Sequence, residues 1–126
     1  MKFILDDGNS GHTIQNYGAS EITISGHVYR ENLIVMPDRL IPQWRPNSFE
    51  ELNQEDFSQL ADLAPEIVVL GTGSKQYFPD HELTRPLVDQ QIGLEVMATD
   101  AACRTYNILM SEGRRVAAAL MMIRTP

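Results

Sequence analysis

Cysteine is nearly absent from this chain. One residue, Cys103, in 126 excludes an internal disulfide, and a reducing compartment is the simplest expectation. Long apolar runs are absent too. No stretch approaches the roughly 20 residues of a membrane span. The opening Met1-Lys2-Phe3-Ile4-Leu5-Asp6-Asp7 lacks the apolar run of a signal peptide, so a cytoplasmic protein is expected. Bases are scarce: 10 lysines and arginines face 17 acids, for a net charge of −7. That balance argues against nucleic acid, whose affinity rests on bases against phosphates. Much of the acid excess lies in Ser48–Asp62, which has no base. A solvated helix face is the simpler reading of that run, and a docking surface for a basic partner is the other.

Several chemical signatures are also missing. Gly71-Thr72-Gly73 begins like a dinucleotide fingerprint, but position 76 is Gln where a third glycine belongs. His12, His27 and His81 are scattered without metal-ligand spacing, and no GxSxG elbow occurs. Cys103 has no neighbouring base in a motif and reads as an inert buried thiol. No cofactor, metal or catalytic residue is expected. Trp44 beside Arg45 fits either a core residue or an anchor for a partner.

What is present is a chain of ordinary domain size, 43% hydrophobic and 21% charged, read as a single domain over residues 1–126. Its organising stretch is Glu66-Ile67-Val68-Val69-Leu70 followed by Gly71-Thr72-Gly73. Apolar residues without alternation predict a central strand covered on both faces, and the two glycines predict a hinged turn. Before it, short antiparallel strands are expected at Phe3–Leu5, within His12–Tyr17, and at Glu21–Ser25, His27–Tyr29 and Leu33–Met36. Turns are placed at Asp7–Gly11, Gly18-Ala19, Gly26 and Pro37-Asp38. Leu40–Trp44, interrupted by Pro42, fits a sheet edge.

Ser48 and Asn53 compete as caps of the first helix. Asn53 is preferred because Phe57, Leu60, Ala61 and Ala64 follow at helical spacing and Pro65 stops the run. A short helix over about Thr84–Gln91, ended by Gly93, leads to a strand at Leu94–Met97. A parallel unit is the default for that arrangement. Thr99 is expected to cap a third helix closed by Gly113, and Val116–Ile123 to form a buried strand.

Two sites follow from this arrangement. Glu95, flanked by Leu94, Val96 and Met97, reads as a buried carboxylate paired with Arg104 or Arg85. If the strands ending at Leu70 and Met97 are parallel, Gly71, Thr72 and Gly73 approach Thr99 and the start of the third helix. Free N–H groups there, with Arg104 and Asn107 on the polar stripe, would suit a small anion or carboxylate.

The combination of Glu66–Gly73, Glu95-Val96-Met97, Thr99, Ala101–Asn107, Glu112-Gly113-Arg114 and Val116 resembles the Mth-type domain family. Its eukaryotic members include the mitochondrial NADH dehydrogenase (complex I) assembly factor three and the adipogenesis-associated Mth domain-containing protein. Tyr17-Gly18, Ile24-Ser25-Gly26 and Trp44 match the family's opening half, so the likeness spans nearly the whole chain. It implies a three-layer α/β fold with a mixed central sheet and an additional N-terminal antiparallel β region, and it implies no established reaction. The expected function is a non-catalytic protein-interaction or assembly/accessory module. The alternative is a small-molecule or anion binder, or an enzyme, using the Gly71-Thr72-Gly73 loop.

Overall fold

Tight turns with left-handed backbone angles shape the first third of the molecule. The computed structural model describes residues 11–124, so the strand expected at Phe3–Leu5 and most of the Asp7–Gly11 loop lie outside the described residues. Ile14–Gly18 (β1), Glu21–Ile24 (β2) and His27–Tyr29 (β3) form an antiparallel sheet in that order. Ser25 and Gly26, at φ 51° and 83°, give the second hairpin the paired positive angles of a type I′ turn. The first hairpin turns at Ala19-Ser20, one residue later than expected, because Gly18 still pairs with Glu21.

Leu33–Met36 (β4) and Arg39–Ile41 (β5) form a hairpin across Pro37-Asp38, and Pro42 follows β5 rather than interrupting it. A short 3₁₀ turn, Phe49–Glu51, precedes the helix Gln54–Asp62 (α1). Asn53 is its N-cap. The Asn53 side chain accepts from the Asp56 N–H at 3.0 Å and the Asp56 carboxylate accepts from the Asn53 N–H at 2.9 Å, a reciprocal capping box. Ser48 starts only the 3₁₀ turn and its side chain makes no cap bond. Then come Ile67–Thr72 (β6), Arg85–Asp89 (α2), Gly93–Met97 (β7), Thr99–Ser111 (α3) and Val116–Met121 (β8). Gln91, at φ 60°, turns the chain after α2, so Gly93 opens β7 instead of ending the helix.

The second sheet runs β5-β4-β8-β6-β7. β6 is parallel to both β7 and β8, whereas β4 is antiparallel to β8, so the sheet is mixed. The middle strand is therefore β8, and the Glu66 stretch lies second from one edge. Its lack of alternation still has the expected cause, because both faces are covered. Val68 and Leu70 enter one core with Ile34, Met36, Ala117 and Ala119, beneath Phe57 and Leu60 of α1 and Leu87 of α2. Val69 enters the other with Leu33, Val35, Ala118 and Leu120, beneath Ala102, Cys103 and Tyr106 of α3 and the isoleucines of the small sheet. Helices α1 and α2 thus cover one face, while α3 and the β1–β3 sheet cover the other.

Candidate functional site

The expected anion site begins with Gly71, which lies within β6 rather than in a turn. Its conformation is not left-handed; the constraint is space. A Cβ there would stand 2.9 Å from Thr99 Oγ1 and 3.0 Å from Ala102 Cβ, so glycine lets α3 press directly on the strand. Gly73, at φ 97°, is the residue that makes the turn. The two loops meet as the parallel pairing requires, but Thr99 fills the junction. Ala98 is the N-cap and Thr99 is the first helical residue, with 0% exposure. The Thr99 hydroxyl donates to the Met121 carbonyl at 2.6 Å and accepts from the Gly73 N–H at 2.8 Å. The Thr99 N–H donates to the Gly73 carbonyl at 2.8 Å. The Gly73 and Thr99 amides, two of those expected to face an anion, are therefore already engaged.

Arg104 and Asn107 are also committed elsewhere. Arg104 donates to the Tyr17 hydroxyl at 2.7 Å and stands 3.9 Å from Asp100. Asn107 acts as a surrogate strand. Its Oδ1 accepts from the Ile14 N–H at 3.0 Å and its Nδ2 donates to the Ile14 carbonyl at 2.8 Å. With the Tyr106 hydroxyl donating to the His12 carbonyl at 2.7 Å, these residues hold the small sheet on α3.

Glu95 is exposed and forms no ion pair with Arg85 or Arg104 among the described residues. Among the described residues, its strand is the sheet edge. Its neighbours Leu94 and Val96 pack on the α1–α2 core, leaving the alternate position outside that core. The buried carboxylate is instead Asp56, 3% exposed. It accepts from Arg45 Nε and a terminal Arg45 nitrogen at 3.0 and 2.7 Å. Its partner lies eleven residues earlier, a pairing that no local pattern in the sequence marks. Trp44 is a core residue, 3% exposed. Cys103 is buried, and burial pushes its thiol up to about 12, which makes it a poor nucleophile at neutral pH.

Openings do occur beyond the carboxyl ends of β6 and β8. A cleft of about 170 Å³ is bordered by Thr72, Gly73, Ser74, Ser48, Met122 and Arg124. Beside it, the Thr72 hydroxyl accepts from the Tyr77 N–H at 3.1 Å, which fixes the start of a loop carrying Tyr77 and Phe78. These rings are 47% and 69% exposed. Phe78 stands between two grooves. One, about 450 Å³, runs to Leu94, Glu95 and Val96 of β7. The other, about 470 Å³, runs to Phe49, Glu50 and Leu83. The sequence reads as a loop through Lys75–Pro79, but it gives the two rings no role. Their signal was two adjacent aromatics before Pro79, outside any periodic apolar pattern.

Residues 14–121 match the family model described as a protein of unknown function, DUF498/DUF598. The chain belongs to that family. Among DUF498 relatives, the NADH dehydrogenase [ubiquinone] 1 alpha subcomplex assembly factor 3 of Mus musculus is 34% identical over 110 residues, which cover 86% of this chain and 59% of that protein. The chain thus spans about three-fifths of the length of that relative. A crystal structure from Bordetella parapertussis is similar at 34% identity and TM-score 0.85, covering 92% of this chain and 99% of that one. A solution structure from Bordetella pertussis, described as a Mth938-like domain, is 29% identical with TM-score 0.84, covering 98% and 94% respectively. The Mth-type resemblance and the mixed α/β fold read from the sequence therefore stand. Among the described residues, no helix is long and apolar enough to cross a membrane.

Proposed function

We propose that this DUF498 chain is a non-catalytic protein-interaction module of the assembly or accessory kind, acting in the cytoplasm. Its relatives' name supports the class. The observation that carries the reading is Phe78, 69% exposed on a loop whose approach is fixed by Thr72. A large apolar ring held in water beside two grooves is a surface that gains by being covered. Aromatic anchors seated in pockets are where interface energy concentrates. A photo-crosslinking residue at position 78, with a control at exposed Ile108 on α3, tests this in the source cells. A discrete adduct from position 78 alone is expected, together with its appearance in the soluble cell fraction. Identical adduct patterns from both positions would overturn the reading. So would substrate turnover by the purified chain that a substitution at Cys103, Glu95 or Arg104 abolishes.

A second reading keeps the anion or carboxylate ligand but moves it to the cleft beyond β6 and β8. Exposed Arg124 supplies positive charge there, beside Thr72, Gly73 and the hydroxyls of Ser48 and Ser74, and the Glu50 carboxylate on the same rim opposes it. Phosphate and acetate titrations should shift the Gly73 and Ser74 amides saturably. Linear, unsaturable shifts would remove this reading.

A further inference from the structure

We propose that the outer edge of β7 receives an extended, basic segment of a partner protein as an added strand, with Gln76 as its removable stopper. This rests on the interaction reading above and specifies where the partner lies and what chemistry it carries.

Among the described residues, β7 is the last strand of its sheet. The Gly93 N–H donates inward to the Glu66 carbonyl at 3.1 Å. Alternation along a strand therefore turns the N–H and C=O groups of Leu94 and Val96 outward. The outward Val96 carbonyl does not face water alone: Gln76 Nε2 donates to it at 2.9 Å. A side-chain amide thus occupies the place of a neighbouring strand's N–H. Gln76 is itself exposed, so little packing holds it there. An incoming strand would replace that bond with its own and release the side chain.

The surroundings determine which segment fits. The groove of about 450 Å³ between Phe78 and Leu94–Val96 offers apolar space beside the edge, as strand-addition sites require for alternate side chains. Charge selects the rest. Glu95 lines this groove, Glu50 and Asp80 line its neighbour across Phe78, and among the described residues neither groove is lined by a lysine or arginine. Among the described residues, His81 is the other titratable group lining the first groove. A segment alternating apolar and basic residues places the apolar ones in the groove and a base near Glu95. A second copy of this chain fits poorly, because pairing β7 with itself brings Glu95 towards its own counterpart.

Three synthetic decapeptides titrated into the isotope-labelled full chain test the proposal. One alternates valine and lysine, one alternates valine and glutamate, and one is the lysine peptide N-methylated at every second residue. The lysine peptide should shift the Leu94, Val96 and Phe78 amides saturably and slow hydrogen exchange at Leu94 and Val96. N-methylation, which removes the strand's donors, should weaken binding about tenfold or more. The glutamate peptide should not bind. Gln76→Ala, with the remaining spectrum unchanged, should bind about three- to tenfold tighter because the competing donor is gone. Equal binding of the N-methylated peptide would overturn strand addition, as would weaker binding by Gln76→Ala. Concentration-dependent self-association of Gln76→Ala would overturn the choice of a foreign partner. Each of these outcomes leaves the cross-link at position 78 intact. Loss of that cross-link would strike the interaction reading itself.

Discussion

At position 99 the fold requires a hydroxyl where a shape-matched apolar side chain would fit. Thr99 Oγ1 bonds Gly73 and Met121 in a fully buried setting. Thr99→Val keeps the branched shape and leaves a buried N–H and a buried carbonyl without that partner, each costing roughly 1–3 kcal/mol. A loss of about 2–4 kcal/mol is expected in urea unfolding. Thr99→Ser keeps the hydroxyl and should lose about 1 kcal/mol. Equal stability of Thr99→Val and the parent would show that the hydroxyl is not the link. The sequence marked Thr99 and Gly71 as special but misread both. A threonine before a helical pattern reads locally as a cap, and a glycine after a strand reads as a turn. Their actual roles depend on α3 lying against β6, a contact that no local pattern encodes. Glu95 failed for the same reason. Its apolar neighbours imply a buried strand, and only strand order reveals that the strand is an edge.

Elements bounded by local signals were legible. The start of α1 was, because its cap, its apolar spacing and its stop at Pro65 all lie within a few residues of one another. Its cap is testable. Asn53→Ala removes the acceptor for the Asp56 N–H and should cost about 1 kcal/mol, read as a lower denaturation midpoint with an unchanged slope. Retention of the parent's midpoint would mean that the Asp56 half of the box suffices. The β8 strand was legible for a different reason. An apolar run such as Val116–Ile123 has no period that separates strand from helix; Gly113, having just ended a helix, tips it to a buried strand, which is the middle of the described sheet. Its position between β4 and β6 was not legible, since a strand of small apolar residues fits any interior slot. The loop carrying Tyr77 and Phe78 was legible as a loop, but the exposure of its rings was not, because a ring's exposure is a property of what surrounds it.

The molecule as a whole depends on how the small sheet is fastened to the large one. Ile14, Ile22 and Ile24 share a core with Val35, Val69 and Tyr106, which supplies attraction without direction. Direction comes from α3. Asn107 bonds both backbone groups of Ile14, Tyr106 bonds the carbonyl of His12, and Arg104 reaches the hydroxyl of Tyr17. At the far end of β1, the Ser20 N–H donates to the Ile123 carbonyl at 2.6 Å. Residues that the sequence offered as a ligand site therefore serve as the clasp between two sheets. Of these bonds, the Asn107 pair is the most demanding, because Ile14 is only 4% exposed. Asn107→Ala leaves a nearly buried N–H and carbonyl without partners, for a loss of roughly 1–3 kcal/mol. The consequence should be local as well as global. Amide hydrogen exchange in β1, β2 and β3 should accelerate more than in β4, β6 and β8, because the large sheet keeps both its ladder and the α1–α2 core. Arg104→Ala, at an exposed position, should show the same pattern more weakly. Uniform acceleration across both sheets would mean that the two open together and that the isoleucine core, rather than the helix clasp, sets the unit of unfolding.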